Sequence, residues 1–169
     1  MILRRDERGQ TLVEFALVIP IALLLMLGLF DLGRIVFINN SLSDGARHGA
    51  RHATIDPRAS DYCSVIDDAV RTAIRGQPLS TYTVTYTIVQ ADGSDGASYL
   101  MCANGADGAG KAGMTADRVA APGDRVTVDL GADVNLALAF VARAAGTETF
   151  SLHAESTMQV TFAPRLSSP

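Results

Sequence analysis

Residues 12–30 read LVEFALVIPIALLLMLGLF, nineteen positions with a single charge, Glu14. At about 1.5 Å per helical residue this run nearly crosses a hydrocarbon core of roughly 30 Å. A second rhythm follows. Ile35, Ile38, Leu42, Ala46, Gly49 and Ala53 recur three and four positions apart, while Asn39, Ser43, Asp44, Arg47 and Arg51 fall largely elsewhere. That spacing is one face of a helix. Together the two patterns predict a continuous helix from about residue 10 to residue 53, roughly 65 Å long. Pro20 removes one backbone bond from it, and Gly28 and Gly33 loosen it. Gly45, Gly49 and Ala53 are spaced by four, as are Ala46 and Ala50. Small residues at that spacing let another backbone approach closely. The approaching backbone is either a neighbouring helix or the chain's own domain.

Asp56-Pro57 breaks the helical pattern. A second helix is expected next, with Ser60 or Asp61 as its cap. Val65, Ile66, Ala69, Val70, Ala73 and Ile74 form its apolar face, Arg71 and Arg75 suit its C-terminal dipole, and Gly76 suits its C-cap. Residues 81–89, TYTVTYTIV, alternate strictly and predict a half-buried strand with Tyr82, Val84, Tyr86 and Ile88 on one face. Residues 90–123 are rich in Gly, Ala and Asp without periodicity, so they read as a long flexible loop. A second strand is expected over 124–130, with Val126, Val128 and Leu130 inward. A short apolar helix over 136–145 is closed by Gly146. A third strand over 148–162 has Phe150, Leu152, Ala154, Ser156, Met158, Val160 and Phe162 inward. The sum is an α+β plan: a long N-terminal helix leading into a domain with a small antiparallel sheet.

Charge orients the plan. Arg4, Arg5 and Arg8 precede the apolar run, against only Arg34 close by and Arg47 further on at the other side. The excess favours a cytoplasmic head and an exported C-terminal domain. The formal net charge is −4 and the pI near 5.2, and no basic stripe lies between stacking aromatics, so nucleic-acid binding is not expected. The two cysteines, Cys63 and Cys102, both lie in the exported part. Outside the cytosol an isolated pair reads as a disulfide, the alternative being two buried thiols.

Little else suggests chemistry. His48 and His52 stand four apart, but His153 is distant and no H-E-x-x-H motif exists, so a metal site is not expected. The DGSDG of residues 92–96 lacks the order of a calcium loop, and Asp-Gly turns explain it. No nucleophile elbow, P-loop or Cys–His pair is recognisable, so neither an enzyme nor a cofactor is expected.

The apolar run is not followed by a small-residue cleavage site of the secretory kind. The head ends instead in Arg8-Gly9-Gln10, before the run. A cut there would remove the charges and leave the apolar segment in place, the arrangement of a prepilin leader. ERGQTLVEFALVIP, then LFDLGRIVF and DGARHGARHA, resembles the N-terminus of the TadE-like pseudopilins of the tight-adherence (Tad) branch of type IV pilus systems. The resemblance covers roughly residues 4–53. It includes the Gly9/Gln10 junction, a glutamate five residues into the mature chain, and an aromatic beside it. That aromatic is Phe15, where the major pilins of these systems typically carry tyrosine.

The resemblance implies a leader over residues 1–9, a long helix over 10–55 with its membrane span at about 12–30, and an exported domain over 56–169. It implies a minor pilin or pseudopilin of the bacterial inner membrane. The implied partners are a prepilin peptidase, other Tad pilins and pseudopilins, the inner-membrane assembly platform and membrane lipid. It assigns cleavage to Gly9 and Gln10 and assembly to Glu14 and Phe15. A carboxylate at the bilayer centre costs about 2.5–3.5 kcal/mol, less near an edge, and therefore usually has a partner. Cleavage would create an ammonium at Gln10, one helical turn before Glu14. The rival reading is a membrane-tethered binding or adhesive module that never polymerises, its loop 90–123 contacting a ligand.

Overall fold

The computed structural model describes residues 7–55, 59–113, 121–137, 143, 146 and 149–161. Two helices, α1 (Glu7–Ala53) and α2 (Tyr62–Ala73), precede β1 (Thr81–Val89), β2 (Asp95–Ala103), β3 (Ala106–Asp107), a single 3-10 turn (Lys111–Gly113), β4 (Arg125–Asn135) and β5 (Thr149–Gln159). The strands form one sheet in the order β3-β2-β1-β4-β5, and β1 runs antiparallel to both its neighbours. The class is α+β, as the periodicities predict. The chain divides into two compact units: residues 1–36 with 135–150, and residues 37–134 with 151–169.

In the second unit the core forms where the helical period of 3.6 meets the strand period of 2. Ile38, Leu42, Ala46, Ala50 and Ala53 of α1 are buried. So are Ile66, Val70 and Ile74, in and just after α2, Tyr82, Val84 and Tyr86 of β1, and Val126, Val128 and Leu130 of β4. Gly45 and Gly49 are the closest approach. A methyl added to Gly45 would lie 2.5 Å from Ile74 Cγ2 and 3.1 Å from Leu130 Cδ1. One added to Gly49 would lie 2.7 Å from Val70 Cγ2 and 3.3 Å from Val128 Cγ1. The small residues thus admit α2 and β4 of the chain's own domain. The Tyr62 hydroxyl donates to the Ala53 carbonyl at 2.9 Å and satisfies an orphan acceptor at the end of α1.

A buried carboxylate fastens one end of the sheet. Asp124 accepts from the Tyr86 hydroxyl at 2.5 Å, Val89 N at 3.0 Å and Ala121 N at 2.9 Å. With every bond made, its burial is compensated. Burial first, and the bond to Asp124 second, push the Tyr86 phenol well above the usual tyrosine range, and burial raises Tyr82 likewise.

Several expectations need correction. The stretch over 90–123 is not one unstructured loop: β2, β3 and the 3-10 turn lie within it, and residues 114–120 lie outside the described residues. β2 carries no clean alternation because its register against β1 shifts at Val84/Thr85 and again at Thr87/Val89, so consecutive Met101 and Cys102 are both buried. β2 and β3 turn on Asn104 and Gly105, both at positive φ (50° and 81°), the geometry of a tight two-residue hairpin. β4 continues five residues beyond the expected end, with Ala132 and Val134 also inward. Val65, expected on the apolar face of α2, and Phe150, expected inward, are 43% and 49% exposed. Asp61 is the N-cap of α2 without a side-chain cap bond, and its C-cap is Ile74 rather than Gly76. The helix expected over 136–145 lies mostly outside the described residues, as does Phe162.

In the first unit, residues 12–30 of α1 are apolar apart from Glu14 and largely bare. Leu12, Val13, Phe15, Leu17, Val18, Leu25, Met26, Leu29 and Phe30 are all exposed, and Pro20 sits within the unbroken helix. α1 is long and apolar enough to cross a membrane. Asp31, directly after the apolar run, is buried and accepts from Ala137 N at 2.9 Å, while Arg34 donates to the Asn135 carbonyl at 3.1 Å.

Candidate functional site

Residues four apart on a helix stack on one face. Gln10 and Glu14 meet in this way near the start of α1: the Gln10 side-chain amide donates to Glu14 Oε1 at 3.3 Å. Both side chains are exposed, and Phe15 beside them is 63% exposed. The pair has no packing role in the fold.

Gly9 is informative by its surroundings. It lies inside α1, where glycine costs about 1 kcal/mol relative to alanine. A methyl added there would meet nothing within 4 Å. Among the described residues, neither a turn nor a close contact demands glycine at this position. The contrast with Gly45 and Gly49, which the core requires, is direct.

The remaining helix-packing residues, Ala46, Ala50 and Ala53, are fully buried with those two glycines inside the second unit. Among the described parts of α1, this small-residue face is therefore not open to a neighbouring helix, whereas the large apolar side chains upstream are. Cys63 of α2 and Cys102 of β2 are joined in a disulfide, with Cα atoms 5.6 Å apart. It ties α2 to β2, which is itself paired with β1 and β3.

His48 and His52 line an open groove of about 590 Å³ together with Asp44, Asp68, Thr72 and Arg75. No cluster of three metal-ligating side chains occurs among the described residues. In the DGSDG turn, Asp92 Oδ1 accepts from Ser94 N at 2.9 Å and from the Ser94 hydroxyl at 2.6 Å, which holds the Asp92 carboxyl below the usual range. That is turn chemistry. His153 Nδ1 lies 3.8 Å from Asp129 Oδ1 on the exposed face of the sheet. Sequence reasoning missed the Asp31 and Arg34 contacts. A charge directly after the apolar run was the visible half of that signal, but its partner lies 106 positions away.

Residues 9–51 match the family model described as TadE-like protein. The match begins at Gly9 and covers most of α1, and it includes none of the sheet. The N-terminal helix is TadE-like, consistent with a pilin-related protein. No curated protein and no solved structure matches the chain.

Proposed function

We propose that the chain is a minor pilin or pseudopilin for assembly of a Tad-type adhesive pilus, a structural subunit rather than an enzyme. The observation that carries this reading is the family match starting at a glycine that the fold does not use. A peptidase pocket shaped around an absent side chain gives that glycine a purpose. Cleavage between Gly9 and Gln10 leaves α1 as the anchor, with the basic head cytoplasmic and the domain extracytoplasmic. The disulfide suits an oxidising compartment. The other pilus components, the prepilin peptidase and the inner-membrane platform are the implied partners.

Cleavage would place a new ammonium at Gln10, within one turn of Glu14. The apolar surface around them, Val13, Phe15, Leu17 and Val18, slides past another apolar helix at little cost. A pair between Glu14 and a neighbour's terminal amine does not slide, because misregister strands both charges in a low-dielectric setting. The buried Gly45–Ala53 face is unavailable for helix contacts, so register falls to this end of α1. The rival adhesive module would have to present β2, β3 and the turn after them, rather than an unstructured loop, over residues 95–113.

The test is crosslinking and co-purification with the host's pilins. Glu14→Ala and Glu14→Gln are expected to be exported, cleaved and folded but poorly incorporated, with Glu14→Asp intermediate. Normal incorporation of Glu14→Ala would refute the register role.

A further inference from the structure

Phe150 alternates correctly for the inner face of β5, yet it is half exposed. It falls in the first compact unit, with the bare stretch of α1. The strand register explains its position. The Ser151 hydroxyl donates to Asp133 Oδ1, and the Thr127 and Thr157 hydroxyls meet at 2.8 Å, so β5 runs antiparallel to β4. The same register carried two residues further sets Thr149 beside Asn135, with Phe150 next to it.

Asn135 and Ala137 are the residues held on α1 by Arg34 and Asp31. Asp31 follows the last residue of the apolar run, so this attachment sits at the outer boundary of the span. Leu32 and Val36, on the same stretch of α1, are 57% and 51% exposed. If α1 spans a bilayer, a buried aspartate and an arginine hold a strand end where hydrocarbon would give way to headgroups. Around it, Leu32, Val36 and Phe150 are apolar and each leaves about half of its surface exposed. Aromatic and aliphatic side chains beside an arginine are the composition of an interfacial contact.

We propose that the 135–137 segment and Phe150, fixed against α1 by Asp31 and Arg34, form a second contact with the lipid surface beside the spanning helix. The contact fixes how deep the anchor sits and keeps this strand end out of water. The proposal rests on the reading of α1 as a membrane span.

The chain contains no tryptophan, so one introduced residue is the lone indole reporter. Full-length Phe150→Trp, Leu23→Trp and Thr72→Trp would each be reconstituted in phosphatidylcholine vesicles with and without brominated acyl chains. Leu23→Trp reports the span, and Thr72→Trp reports an exposed site on α2. Phe150→Trp emission is expected to be roughly halved by brominated lipid and shielded from iodide, as for side chains buried about 5–10 Å into the boundary. Thr72→Trp is expected to show the reverse. Adding Asp31→Ala to Phe150→Trp should restore much of the iodide quenching. Phe150→Trp behaving like Thr72→Trp, with Leu23→Trp still quenched by lipid, would overturn the second contact and leave the anchor standing. Loss of lipid quenching at Leu23→Trp as well would overturn both. Unchanged quenching in the Asp31→Ala background would overturn the role given to Asp31.

Discussion

The two ends of α1 belong to one unbroken helix and have different surroundings in the fold. Residues 12–30 carry large side chains, Leu, Ile, Met and Phe, that stand exposed, from 37% at Ile19 to 72% at Met26. Residues 38–53 alternate Ile38 and Leu42 with Ala46, Gly49, Ala50 and Ala53, all buried. Side-chain size follows the neighbour. Where lipid is the expected solvent, bulk is harmless and increases apolar surface. Where two other elements must reach the helix backbone, bulk is excluded. Small-residue spacing, often a sign of helix pairing in membranes, here records a close contact within one domain.

Truncation separates the two ends most sharply. Leu42→Ala removes a fully buried side chain and is expected to cost the domain about 2–5 kcal/mol, read as a lower denaturation midpoint. Leu25→Ala, from a 71% exposed position, should leave that midpoint unchanged. Equal losses would erase the distinction between the two stretches.

Enlargement tests the same contrast from the other side. Gly49→Val drives methyls into Val70 and Val128 and is expected to cost about 1–3 kcal/mol. Gly33→Ala meets nothing within 4 Å and should be neutral or slightly favourable through helix propensity. Circular dichroism melts of both variants give the comparison.

Alkaline pH gives the smallest effect. Tyr86 titrates higher in the fold than in the unfolded chain, where tyrosine lies near 10, so the folded state holds its proton more tightly. Stability is therefore level below about pH 10 and falls as pH rises above it. Tyr86→Phe removes one bond to Asp124, should cost about 0.5–1.5 kcal/mol at neutral pH, and should flatten the alkaline decline. Buried Tyr82 keeps some of that decline in place. An alkaline wash that loosens the domain is expected to leave the chain in the membrane fraction, because residues 15–30 carry no titrating group.

The sequence disclosed elements whose periodicity is unbroken. α1, β1 and β4 follow from spacing alone, since each repeats its pattern over seven or more residues against a single neighbouring layer. β2 escaped because two register shifts scramble its alternation and small residues weaken its hydrophobic signal. The Asn104-Gly105 pair was the legible clue, a two-residue hairpin signature inside a segment that composition marked as loop. Phe150 misled for a different reason. Alternation assigned its face, but nothing local to β5 shows that the strand begins beside the end of β4 held on α1. The proposed functional end of the chain can be read without distant packing, because Gly9, Gln10 and Glu14 stand close together in sequence.

The central claim is that this end is processed for assembly. Intact-mass measurement on protein extracted from the membranes of its native host tests it most directly. The account predicts a mature chain that begins at Gln10, lacking residues 1–9, with Gly9→Leu left at full length. A mature wild-type chain that begins at Met1 or Ile2 would contradict it.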